Sequence, residues 1–363
     1  IVARNRPLRA GHRIQCPETG QRDPAAPRPP AAPRGDALGA GSVRVAAMTS
    51  IGLVIASPDR FFAADPLQDV LPLSAALRRR GATCRAVDWA DPEVDWSSFD
   101  LVVLRSPWDY SERPRDFDAW LERAGAQTQI LNEPDLVRWN MDKRYLRQLE
   151  EAGVAVVPTS YHDDEQSLAR ALETAAEPVE GGLAGRSDGD PGAGPGAEPH
   201  VVLKPAVGAG ARLAGLLRPD DPAALGLGRS ILAEGRTVML QPEIPELSAG
   251  HEKALYMVEG RFTHAIAKGA LLARGGGLRG GSYQETPLEV TASTAERSFA
   301  EQVLTAVAEV TGLAAPLYAR IDLVETASQG LLLLEAELFE PLFNLQLVPD
   351  AAEDFAEAIL ARS

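Results

Sequence analysis

The chain has 363 residues and 45% hydrophobic content, enough for two or three cooperating domains with real cores. Its formal net charge of −15 argues against nucleic acid as the main partner. No apolar run approaches the length of about 18 residues that a membrane span needs, so no membrane partner is expected.

The N-terminal arginines are not followed by a secretory-type apolar core. The two cysteines, Cys16 and Cys84, imply neither a disulfide framework nor a thiolate metal cluster. A reducing cytoplasm is the expected location. Residues 1–47 carry eight Arg against three acids, and they hold seven Pro with no hydrophobic periodicity. They read as a disordered tail. Met48, directly before the first strand pattern, is expected to be the natural start.

From 50 to about 132, strands and helices alternate: "IGLVIAS", "LQDVLPLSAALRRRG", "TCRAVDW", "LVVLRS", "RDFDAWLERAG" and "TQILN". That order predicts a parallel sheet with helices on its faces, and ligands beyond the carboxyl ends of its strands. Arg105, Trp108, Asp109 and Tyr110 follow "LVVL" at such an end. Next, Asn140 is expected to cap a helix that stops at Gly153, and "VAVVPT" reads as a strand. Residues 177–199, with seven Gly and four Pro, read as a flexible surface insertion.

"VVLKP" resumes the fold, and "RTVMLQPEI", "KALYMVEG" and "RFTHAIAKG" read as strands, the last two joined at Glu259 and Gly260. The glycine-rich stretch 274–284 is expected to be mobile. A helix over 294–311, the strands "LYARIDLVE" and "GLLLLEAELFE", and a closing helix from about 350 complete the chain.

Side chains alternate along a strand, so Arg320 shares a face with Asp322, and Glu335 with Glu337. If the two strands pair, a guanidinium and three carboxylates converge. A hard divalent ion such as Mg²⁺ would relieve their repulsion. The plainer reading is an alternating, half-exposed strand whose acids face water. The apolar surroundings favour a buried strand and the metal. Lys143, Lys204 and Lys268 sit near a helix start or at strand ends, where they could clamp phosphates. Gly208 and Gly210 would let the backbone close over phosphate oxygens. Taken singly, each lysine reads as a solvated surface residue.

In order, "WNMDKRYLRQLEEAGVAVVPT", "VVLKPAVGAGAR", "MLQPEI", "FTHAIAK", "YARIDLV" and "LLEAELFEP" resemble the ATP-grasp superfamily, over roughly 50–362. The set is closest to the glutathione-synthetase-like branch. With "RSPWDY" and "RWNMDKRYL", it is similar to the cyclo-ligases of cycloserine biosynthesis and their relatives.

The resemblance implies an α/β fold: a pre-ATP-grasp domain over 48–134, then two α+β subdomains, 135–240 and 241–363, that grip ATP. It implies that Lys143 and Lys204 reach the phosphates beneath a flap at 206–211, and that Gln241, Glu243 and Ile244 line the adenine pocket. Glu252, or its rival Glu246, would hold the ribose. Lys268 and Arg320 would face the transferring phosphoryl group, and Asp322, Glu335 and Glu337 would hold Mg²⁺ or Mn²⁺. Many relatives have Asn where Glu337 stands. Arg105, Trp108, Asp109, Tyr110, Trp139 and Arg279 would surround the acceptor. Arg105 could instead pair with Asp109, and Arg279 could be solvated.

The implied activity is an ATP-dependent ligase that acts through an acyl phosphate on small carboxylate and amine substrates, between molecules or within one. Relatives are often dimers, so a homodimer is a further expectation. The rival readings are an inactive nucleotide-binding module and a phosphotransferase without ligation.

Overall fold

The computed structural model describes residues 48–57, 65–177, 198–281 and 286–363. The expected tail at 1–47 and nearly all of the expected insertion lie outside the described residues. β1 (Ser50–Ile55), β2 (Thr83–Asp88), β3 (Leu101–Ser106) and β4 (Gln129–Leu131) form a parallel sheet in the order β2-β1-β3-β4. α1 (Val70–Arg79) and α2 (Pro114–Gly125) are crossover helices. β3 is buried along its whole length, as a parallel strand covered on both faces should be.

β5 (Ser160–His162), β6 (Val201–Pro205), β7 (Gly215–Leu217) and β8 (Val238–Pro242) form an antiparallel sheet in the order β5-β8-β6-β7. The boundary expected at 240/241 falls inside β8. α5 (Glu165–Ala176) and α6 (Pro222–Ala233) cover the sheet through Leu168, Leu172, Ala224 and Ile231. Neither helix was expected from the sequence pattern. α5 buries only Leu168 and Leu172, too short a stripe to read, and Gly228 interrupts α6. That glycine has a packing cause: a Cβ there would meet Leu168 Cδ2 at 2.1 Å.

The third sheet is antiparallel, in the order β11-β10-β9-β12-β13. Its strands are β9 (Lys253–Val258), β10 (Arg261–Ala267), β11 (Leu288–Val290), β12 (Tyr318–Thr326) and β13 (Gly330–Glu337). β9 turns into β10 at Glu259 and Gly260, both at positive φ (49° and 72°), the geometry of a tight hairpin. After the short α7 (Pro245–Ser248), α8 (Thr294–Thr311) opens with a Ser293–Glu296 capping box and ends at left-handed Gly312. α9 (Pro349–Leu360) returns to pack on α1, so the last helix shares a core with the first sheet. Among the described residues, no helix is long and apolar enough to cross a membrane.

Two expectations are corrected here. Asn140 is not an N-cap; it is the last residue of α3 (Pro134–Asn140), and α4 begins separately (Tyr145–Glu151). Its buried side chain donates to Ala336 O and accepts from Leu338 N, both at 2.8 Å. It therefore ties α3 to the end of β13. Asn140→Ala should cost about 2–4 kcal/mol in denaturant unfolding, because two buried backbone groups lose their partner. A lost cap alone would cost about 1 kcal/mol.

The expected strand "VAVVPT" shrinks to a single parallel bridge from Val156 to Leu333. Val157 N donates to Leu333 O, and Leu333 N to Ala155 O, covering the outer edge of β13.

Candidate active site

β12 and β13 pair as the alternation required: Arg320 lies opposite Glu337, and Asp322 opposite Glu335. Arg320 donates from Nε to Asp322 Oδ1 at 2.8 Å and from Nη2 to Asp322 Oδ2 at 2.7 Å, and it also binds Glu337. Lys268, at the end of β10, meets Asp322 at 3.1 Å and Glu252 at 3.0 Å. Lys143 meets Glu335 at 3.0 Å. Each acid is thus neutralised by a protein cation. Among the described residues, no three acidic, His or Cys side chains stand together as a ready-made metal cage.

These pairings set the charge states. Burial opposes ionisation of Asp322, but Arg320 and Lys268 outweigh it and hold the carboxyl below its usual range. Lys143 and Lys204 do the same for Glu335. Glu337 differs: burial prevails over Arg320 and, with Glu335 and Asp322 nearby, pushes it up to about 7.

Lys204 projects from β6 into the same cavity, where burial pulls its pKa below the usual lysine value. Among the described residues, it has no carboxylate within ion-pair distance. The loop after it has an unusual backbone geometry. Gly210, Ala211 and Leu213 all take positive φ (61°, 51° and 56°), which only Gly210 adopts without strain. The Gly208 carbonyl accepts from Lys143 Nζ at 2.8 Å, so this loop is tied to the first lysine.

The two antiparallel sheets face each other across one cavity. Lys143, Lys204, Lys268, Arg320 and the three strand acids line its polar end. Val202, Leu216, Ile244, Leu247 and Leu272 line an apolar slot. Gln241 and Glu243 stand on its wall; Gln241 Nε2 donates to Thr159 Oγ1 at 2.8 Å, and Glu243 accepts from Ser248 and Arg274. Glu252 lines the cavity. Glu246 does not, and accepts from Ala327 N instead. The described part of the 274–284 loop is docked: Gly275 N donates to Leu216 O, and Leu216 N to Gly276 O.

The expected acceptor residues divide. Trp108 lines the cavity; Arg105, Asp109, Tyr110 and Arg279 do not. Arg105 is 1% exposed. It lies 3.5 Å from Asp69 and donates to Pro341 O at 3.0 Å. Its guanidinium lies over Tyr318, Phe343 and Phe355 at 4.9–5.0 Å. Its placement beside the acceptor, and its alternative pairing with Asp109, are both corrected. Asp109 pairs with Arg113 and accepts from Trp89. Arg279 donates to the Leu272 and Ser248 carbonyls. Trp139 donates to Gln148 Oε1, and its ring packs on Tyr145.

One acidic residue of the cavity escaped the sequence reading. Glu340, three residues past Glu337, is 6% exposed and faces the cavity. Its position in "LLEAELFEP" matched no strand alternation, because the strand has already ended.

Two sheets closing on a cavity lined by lysines, an arginine and strand acids define the fold class, that of solved ATP-grasp ligases, of which PsnB superposes with a TM-score of 0.53 at 18% identity, covering 87% of this chain and 99% of that one. A D-alanine–D-alanine ligase from Bacillus anthracis, solved in complex with ATP, shares the fold. Its TM-score is 0.58 at 12% identity, covering 86% of this chain and 96% of that one.

Within that class the chain belongs to the D-cycloserine synthetase DcsG family. The family described as "D-cycloserine synthetase DcsG, N-terminal domain" matches residues 51–132. The cycloserine biosynthesis protein DcsG of Streptomyces lavendulae is 35% identical over 301 residues, 81% of this chain and 93% of that protein. The crystal structure of D-cycloserine synthetase DcsG superposes with a TM-score of 0.73 at 32% identity, covering 86% of this chain and 99% of that one.

Proposed function

We propose that this ligase uses ATP to convert a small amino-acid-like carboxylate into an acyl phosphate. An amine, on a second molecule or on the same one, then displaces phosphate. The observation that carries this reading is the Lys204 ammonium, which faces the cavity with no described carboxylate at ion-pair distance, while the Lys143, Lys268 and Arg320 cations there are each paired with an acid. Such a lysine lacks an anion, which a polyphosphate would supply.

In this reading the apolar slot, with Gln241, Glu243 and Ile244, takes the base, and Glu252 the ribose. Lys143 and Lys204 hold phosphates beneath the Gly208–Gly210 loop. Lys268 and Arg320 stabilise charge on the transferring phosphoryl group. The substrate carboxylate is the nucleophile, so the protein's work is orientation and charge stabilisation.

Asp322, Glu335 and Glu337 would hold Mg²⁺. All are oxygen donors at the polar end of the cavity, and buried Glu337 is a carboxyl that a cation would discharge. When bound, Mg²⁺ would neutralise charge on phosphoryl oxygens. Similarity to a cycloserine biosynthesis protein supports an amino-acid-like substrate and a role in antibiotic biosynthesis. A cytoplasmic setting, where ATP and Mg²⁺ are at hand, suits this chemistry.

The test measures ADP release from MgATP with glycine and both enantiomers of alanine and serine, each with and without added amine. Acid- and amine-dependent ADP release with amide formation is expected. ADP release with a stable phosphorylated product would indicate the phosphotransferase instead. No stimulation by any acid would favour a nucleotide-binding module.

A further inference from the structure

Glu340 is a buried acid of the cavity with no protein cation at ion-pair distance; Lys143, near enough to favour its charged form, is paired with Glu335. Asp322, Glu335, Glu337, Glu252 and Glu243 each have a Lys or Arg partner. Among the described residues Glu340 has none, and its Oε2 is buried without a hydrogen-bond partner. Its other two acceptors are engaged. Oε1 accepts from the Tyr110 hydroxyl at 2.5 Å, and its backbone carbonyl accepts from Trp108 Nε1 at 2.9 Å. A buried acceptor held this firmly and left unmade is costly to the fold, so it points to a ligand that completes it. The missing elements are a donor and a positive charge. An ammonium group supplies both.

We propose that Glu340, backed by Tyr110, receives the ammonium group of the amine substrate and takes one proton from it before attack. This rests on the acyl-phosphate reading above. The ammonium gives a proton to the Glu340 carboxylate, and the freed lone pair attacks the acyl carbon. The C–N bond forms and the C–O bond to phosphate breaks. Phosphate leaves with that electron pair and carries off the second N–H proton. The environment suits the role: burial, and then Glu337 with Glu335, raise the proton affinity of Glu340 against the opposing Tyr110 hydrogen bond and Lys143 charge. Tyr110, pushed well up by burial and by Glu340 itself, stays a hydroxyl donor.

The test compares the full-length wild type with Glu340→Gln and Tyr110→Phe, using MgATP and the most active acid of the panel at saturation. Two products are followed: the amide, and the hydroxamate formed when hydroxylamine traps the acyl phosphate. Hydroxylamine is largely uncharged at neutral pH and needs no carboxylate to receive it.

Glu340→Gln should lower amide formation by about 100-fold or more while hydroxamate formation stays near wild type. Tyr110→Phe should move the acid limb of the amide pH profile to higher pH, because the carboxylate loses a hydrogen bond that favours its charged form. Parallel loss of both products in Glu340→Gln, or loss of neither, would overturn the assignment. Absence of hydroxamate with the wild type would remove the acyl-phosphate reading, and this inference with it.

Discussion

Lys204→Ala should lower kcat for acid-dependent ADP release by about 10²–10³-fold or more, since it removes a preorganised charge from the site of phosphoryl transfer. The structure explains why this lysine should matter more than its neighbours. Lys143 already serves Glu335 and the Gly208 carbonyl, and Lys268 already serves Glu252 and Asp322. Lys204 brings charge that no described acid holds in an ion pair.

The same fact supplies a control. Burial lowers the Lys204 pKa, so at neutral pH its charged form costs the fold stability. The alanine variant should therefore melt at or above the wild-type temperature. A loss of activity with an unchanged or raised Tm is the expected pair of results. Near-wild-type turnover would remove Lys204 from the phosphate-binding role.

Arg105→Ala is expected to do the reverse: destabilise the fold by about 3–5 kcal/mol, the cost of breaking a buried pair, and leave the acid KM unchanged where the protein stays folded. Asp69 is itself buried, and burial raises its pKa even with Arg105 opposing. Its oxygens also accept from Phe343 N and Leu345 N, so the pair fastens the first sheet to the segment after β13. The guanidinium additionally fills a cage of three aromatic rings.

Asp69→Asn should relieve part of the Arg105→Ala loss, because it removes the stranded charge. Thermal and urea unfolding of the single and double variants would measure this. A rise in acid KM without a fall in stability would return Arg105 to the acceptor site.

Much of this molecule was legible as a string of residues, for local reasons. Strand–helix alternation over 50–132 specified a parallel sheet, because parallel strands need crossovers. The period of two along "YARIDLV" and "LLEAE" put Arg320 with Asp322 and Glu335 with Glu337, and pairing through a short turn brought the four together. The lysine at the end of "VVLK" could be placed on a strand for the same reason.

What sequence alone could not decide was which polar residue meets which across the fold. Asn140 resembled a cap, yet it is a clamp on residues almost 200 positions later. Arg105 stood at a strand end where ligands bind, yet Asp69 and three rings enclose it. Glu340 had no periodic neighbour to mark it. Its unpaired oxygen and its facing onto the cavity exist only once Tyr110 and Trp108 arrive from the first sheet. Backbone periodicity is encoded within a few residues. Desolvation and charge compensation depend on the partners that tertiary packing brings, and those decided the roles of these three side chains.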